Sequence, residues 1–215
     1  MKSDQSIRKP RQDRSRRTLE AMLDAVEVLI AERGVDVLKL SDIAARAGYT
    51  TGAIYARFRD KEALLEQLYD RFVTRAIETM DQGYATLTAE GVDLTEALTL
   101  WVRTLIAHQR QNWSLRNAFL TRIQIEESYR LRSRDLTLHA AWVLRQVLEQ
   151  HHDRIAHDDL DQAAGMAALI IYATIEQAIT LREPVSVYLP ASDDVLVAEL
   201  VRVLMAYFEP PQAGA

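Results

Sequence analysis

Between Leu40 and Leu65 the chain reads LSDIAARAGYTTGAIYARFRDKEALL. The side chains there with chemistry to offer are hydroxyls, a phenol and cations: Ser41, Thr50, Thr51, Tyr55, Arg57 and Lys61, with Lys39 just ahead. Hydroxyls and a phenol bond phosphate oxygens or base edges, and an arginine bonds phosphate or guanine. Gly52 and Ala53 among them are small enough to let a backbone come close to a groove. Gly52 in the first turn of a helix costs up to about 1 kcal/mol relative to Ala. Free N–H groups and the helix dipole at such a start favour a phosphate. The stretch points to recognition of a polyanion, not to bond breaking.

The surrounding elements must hold these groups in place. Leu19, Met22, Leu23, Val26, Leu29 and Ile30 recur at helical spacing and Gly34 ends that run. A short helix is expected over about residues 40–47, closed by Gly48. A third runs over about 51–58, with Thr50 as its N-cap. Asp60 can cap a fourth, long helix, with a stripe of Leu65, Leu68, Tyr69, Phe72, Val73, Ala76 and Met80. Two short helices joined by a glycine-containing turn make a helix-turn-helix, with Ile43, Ala44, Ala47 and Ile54 between them. An ordinary corner in a helical bundle has the same local pattern. Beyond Gly83 and Gly91, helices are expected over about 94–109, 114–130, 135–155, from Asp158 or Asp159 to 182, and from Asp193 to the Pro210-Pro211 stop. The stretch EPVSVYLPAS (183–192) reads as a loop. The fold class is all-α, with about nine helices.

The chain has 215 residues and is 48% hydrophobic and 27% charged, enough for a sizeable core. It has no cysteine, which removes disulfides and thiolate chemistry. No run of apolar residues approaches the roughly 20 needed to span a bilayer, so the expected location is the cytoplasm, with no membrane partner. Net charge is −5, but residues 1–61 hold 13 Lys and Arg against 9 Asp and Glu, and the rest hold 13 against 22. A basic N-terminal quarter on an acidic body suits a local polyanion-binding face. No P-loop, G-x-S-x-G or H-E-x-x-H pattern occurs, so the protein is not expected to be an enzyme and no cofactor is expected. The cluster His151, His152, His157, Asp158 and Asp159 reads as a solvated helix end and cap.

The segments LDAVEVLIAERG (23–34), DIAARAG (42–48) and TTGAIYARFRDKEALL (50–65) resemble the DNA-binding domain of the tetracycline-repressor (TetR) family. The resemblance implies a three-helix DNA-binding domain over 14–61; ahead of it, residues 1–13 have little apolar content and are expected to be a disordered basic tail. The resemblance also implies a larger helical domain over 62–215 that dimerises and binds a ligand. Thr51, Gly52, Ala53, Tyr55 and Arg57 would then face the major groove, with Thr50 at the helix start. Lys61 would contact the backbone, and Lys39 and Ser41 would approach from the second helix. Arg14 and Arg17 would then clamp phosphate, or the basic tail would enter the minor groove. Lys39, Ser41, Tyr49 and Ala56 depart from the common family pattern, which bears on base preference.

The implied partners are a palindromic operator in double-stranded DNA, a second copy of the chain and a small-molecule effector. A dimer interface is expected from the last two helices at Ile171, Ile175, Ala178, Val197, Leu200, Val201 and Leu204. Core packing within one chain is the alternative for each. Apolar walls with a few polar groups make the usual small-molecule site. The candidates are Trp101, His108, Trp113, Arg116, Phe119, Trp142, Tyr172 and Gln177. The function expected is a repressor that its effector releases. An activator, or a regulator without an effector, would carry the same helix-turn-helix.

Overall fold

A computed structural model describes residues 9–89, 91–181, 190 and 192–209, with the side chains of 9–12 left aside. Most of the expected tail (1–8), most of the expected loop (183–192) and the prolines at 210–211 lie outside these residues. Nine α-helices occur among the described residues: α1 (Lys9–Arg33), α2 (Leu40–Ala47), α3 (Thr51–Tyr55), α4 (Lys61–Leu87), α5 (Leu94–Gln111), α6 (Trp113–Ile125), α7 (Glu127–Gln150), α8 (Leu160–Thr180) and α9 (Asp193–Phe208). Helix α1 begins at Lys9, so residues 9–13 are helical here and not part of a tail.

The chain forms two compact units. Of the described residues, the first holds those from 9 to 72 together with 114–129, and the second those from 73 to 113 and from 130 to 209. The division therefore departs from a single boundary at 61/62: the start of α4 and all but the first residue of α6 go with the helix-turn-helix. The reason is visible in the side chains. Tyr69 of α4, Phe119 of α6 and Tyr129 of α7 are buried together, with ring centroids 4.9 Å apart for Tyr69 to each of the others and 5.7 Å for Phe119 to Tyr129. Three aromatic rings, two pairs tilted and one stacked, bury a large apolar area and favour one another beyond it.

In the first unit, α1 buries Met22, Leu23, Val26, Leu29 and Ile30, as its spacing requires. Arg71 of α4 is 8% exposed and meets three carboxylates of α1, Glu20 at 3.0 Å, Asp24 at 2.7 Å and Glu27 at 2.7 Å. Burial opposes its charge, and the bonds to these carboxylates more than offset that, holding the guanidinium above its ordinary pKa.

In the second unit, α5, α8 and α9 pack against one another around one core that also takes in α7. Asp93 caps α5 by accepting from the Glu96 amide at 2.9 Å, and Asp159 caps α8 from Gln162 at 2.9 Å. Ser192 caps α9 through the Val195 amide. Helix α8 is long and apolar enough to cross a membrane by length and composition alone, yet seven of its residues are buried in this core. His157, from the expected cluster, donates through Nε2 to the Tyr207 carbonyl at 2.7 Å.

Replacing Arg71 by Met should destabilise the protein by about 1–3 kcal/mol, because three α1 carboxylates lose their shared cation. The check is the shift in the urea midpoint of the first unfolding transition.

Candidate nucleic-acid interface

The turn between α2 and α3 is built on Gly48. Its φ of 74° lies in the left-handed region, where a side chain would be strained. Its amide and that of Tyr49 return to Ala45 and Ala44 carbonyls at 3.3 and 2.9 Å. Thr50 then caps α3, its hydroxyl accepting from the Ala53 amide at 3.2 Å. Helix α3 is shorter than the expected 51–58. Hydrogen bonding nonetheless continues past its end, since the Arg57 and Phe58 amides both reach the Ile54 carbonyl, at 2.9 and 2.8 Å. One carbonyl shared by two amides tightens the last turn, and this stops the α-helix at Tyr55. Ile54 is the one buried residue of α3, and Ile43 and Ala44 are buried on α2. Asp60 caps α4 by accepting from the Ala63 amide at 2.8 Å. That bond, with the Arg59 pair, holds its carboxyl below the ordinary carboxylate value.

These three helix starts enclose a hollow of about 500 Å³, lined by Lys39, Leu40, Ser41, Thr51, Tyr55, Arg59, Asp60 and Lys61. Five residues expected from the sequence thus meet here. Lys39, Ser41, Thr51 and Tyr55 are exposed, Tyr55 by 58%. Lys61 is part-buried and donates to the Val35 carbonyl at 3.4 Å, so it braces the turn after α1 as well as lining the hollow. Arg59 and Asp60 were not among the expected contacts; their pairing at 2.8 Å puts a cation on the rim. The adjacency of an arginine to the α4 cap was the available signal. Gly52 is exposed, and a Cβ there would meet only the Thr50 hydroxyl, at 3.9 Å. Ala53 is half-buried. Arg57 lies outside the hollow, donating to the Ser15 hydroxyl at 3.2 Å. Arg14 and Arg17 are exposed on the same early part of α1.

The expected effector residues do not share one unit. Arg116 and Phe119 belong to the first, where Phe119 is wholly buried in the aromatic cluster with Tyr69 and Tyr129. The other six belong to the second. Trp142 is 47% exposed, stacked on His139 and tilted against Tyr84, and Gln177 is exposed, so neither is a wall of an enclosed cavity. Trp113 and Tyr172 are partly buried against the core. Trp101 is 2% exposed, and its indole N–H has no hydrogen-bond partner among the described residues. Two turns on, burial pushes the His108 imidazole below its ordinary 6.5.

The residues expected at a dimer interface lie as follows within one chain. Ile171, Ile175, Val197, Leu200, Val201 and Leu204 are buried inside the second unit, and Ala178 is partly buried against it. They pack α5, α8 and α9 together within one chain. The large apolar residues that these two helices leave exposed are Met166, Leu169, Val195 and Val203.

A glycine turn, a capped short helix with an exposed hydroxyl-rich face, and a cationic hollow at three helix starts make up a helix-turn-helix. Residues 22–68 match the family described as bacterial regulatory proteins, tetR family. That likeness covers the helix-turn-helix and its flanking helices, from within α1 into α4. Over 54 residues, 25% of the chain, it is 44% identical to the HTH-type transcriptional repressor BepR of Brucella suis, an alignment that spans 26% of that repressor. The fold extends much further. A putative TetR-family transcriptional regulator from Mesorhizobium loti superposes with a TM-score of 0.72 over 92% of this chain and 99% of its own, at 18% identity. A putative transcriptional regulator from Saccharomonospora viridis, solved in complex with choline, gives 0.70 over 93% and 100% at 21% identity.

His108 of the second unit ties stability to pH near neutrality, because burial holds its imidazole below the ordinary value. Its folded pKa is depressed, so the unfolded chain takes up the proton first as pH falls through about 6.5. Stability is full above that value and declines below it. Thermal melts between about pH 7 and pH 5 should show a steeper loss in the wild type than in a His108→Gln variant.

Proposed function

We propose that the protein is a homodimeric repressor that binds a palindromic operator and leaves it when a small molecule binds the second unit. The observation that carries the DNA side is the hollow, where Lys39, Ser41, Thr51 and Tyr55 stand exposed beside the starts of α2, α3 and α4. Phosphate oxygens suit such a place, because helix starts offer free N–H groups and the cations add charge. Tyr55 fits a phosphate contact, while Thr51, Gly52 and Ala53 fit the close approach to base edges. Arg57, tied to Ser15, extends a cationic edge with Arg14 and Arg17 along the DNA backbone.

Gly52 supports this reading independently. The chain has room for a Cβ at this position, so nothing within the protein demands glycine there. A groove wall approaching the helix would.

A helix-turn-helix reading one half-site works in pairs, with recognition helices about 34–36 Å apart. Exposed Met166, Leu169, Val195 and Val203 on α8 and α9 suit contact with a second copy. The effector reading is supported by the unpartnered Trp101 indole N–H, a buried donor that an acceptor on a small molecule would satisfy. The choline complex of the Saccharomonospora viridis protein is a precedent for a small ligand in this fold.

The deciding experiment is selection of bound fragments from genomic DNA at fixed, physiological salt. An enriched inverted repeat supports the dimeric reader; binding without enrichment that fades as salt rises speaks against it. Gly52→Ala should raise thermal stability by up to about 1 kcal/mol while weakening binding to the selected site. Tyr55→Phe should weaken that binding without changing the melt. Lys39→Ala should lower the salt slope by about 0.9, the value of one lost phosphate contact. Leu169→Glu should leave the monomer folded and shift sedimentation from dimer to monomer.

A further inference from the structure

Glu62 follows Lys61, a lining residue of the hollow, in the first turn of α4. The hollow's lining holds three cations, Lys39, Arg59 and Lys61, against one carboxylate, Asp60. Asp60 is already engaged by the Ala63 amide and Arg59, each at 2.8 Å. A second carboxylate at the same helix start would oppose an approaching polyanion, within the reach of charge at physiological salt.

Arg122 of α6 meets that carboxylate within the same compact unit. Its Nη2 donates to both Glu62 oxygens, at 2.9 and 2.8 Å, and its Nε to one of them at 3.2 Å. Such a fork is the strongest geometry for an arginine on a carboxylate. The Arg122 side chain is only 18% exposed, and Glu126 lies 3.8 Å from it. Burial opposes the charge of Arg122, and the bonds to Glu62 more than restore it. The nearby Tyr129 phenol, pushed up to about 12 first of all by burial, stays neutral and takes no share of the charge.

We infer that Arg122, sixty residues away in sequence, belongs to the DNA-binding surface as the cation that neutralises Glu62 beside Lys61 at the start of α4. This rests on the reading that the hollow faces DNA. The distinction from mere fastening is testable, because fastening needs both partners, whereas compensation needs Arg122 only while Glu62 is charged.

The experiment measures binding of the full chain to random-sequence duplex DNA at low salt, with a melt recorded for every variant. Arg122→Ala should bind about two- to fivefold more weakly, the size of one screened charge interaction. Glu62→Gln alone should bind as well as the wild type or better, and Arg122→Ala/Glu62→Gln should recover wild-type affinity. Arg122→Lys, which keeps the charge and loses the fork, should bind normally. Glu62→Gln weakening as much as Arg122→Ala, or a double variant without recovery, would overturn the inference. If Arg122→Ala does not fold, the Glu62→Gln and Arg122→Lys results decide it, since weakening in either is the fastening outcome. Lys39→Ala is the control: unchanged binding there overturns the face itself, whereas weakening there with normal binding by folded Arg122→Ala overturns only the role of Arg122.

Discussion

A helix of five residues has no stability of its own, because its first hydrogen-bonded turn fixes more backbone than it bonds. The surface offered by α3 therefore exists only because other contacts hold it. Ile54 supplies the sole buried side chain, Gly48 sets the angle of entry and the Thr50 hydroxyl satisfies the first free amide. Every other side chain of α3 is left at least partly open to solvent. The same economy governs α2, whose buried residues are Leu40, Ile43 and Ala44. A reading surface this thin must be carried by stiff neighbours. The long helices α1 and α4, joined through Arg71, are those neighbours.

This part of the molecule was legible in the sequence because its signals are local. A cap, a left-handed glycine and a two-sided helix each act within a few residues, so Thr50, Gly48 and Asp60 could be assigned from spacing alone. The end of α3 was not, since it depends on two amides competing for one carbonyl. The bond between Arg57 and Ser15, and that between Lys61 and the Val35 carbonyl, were also out of reach. They join positions 42 and 26 residues apart, and nothing local announces them.

The second unit shows the opposite case. Helix α8 is apolar on most sides, so its sequence cannot say which face meets the chain's own core and which faces outward. Ile171 and Ile175 went inward, while Met166 and Leu169 stayed exposed. The break between α6 and α7 at Glu126 has neither glycine nor proline to mark it. The aromatic residues could be named but not placed: Trp101 and Trp142 look alike in sequence, yet one is buried and the other lies on the surface.

The membership of residues 114–129 in the first unit bears on how such a protein can be divided. Phe119 and Tyr129 supply two of the three rings around Tyr69, so a fragment ending at Phe72 would leave Tyr69 without those partners. A chimera that joined this N-terminal segment to a foreign C-terminal body at α4 would have to bring a compatible α6 with it. The part that can be exchanged as a module is thus discontinuous in the chain, and its boundary follows the packing of the rings, not the order of the residues.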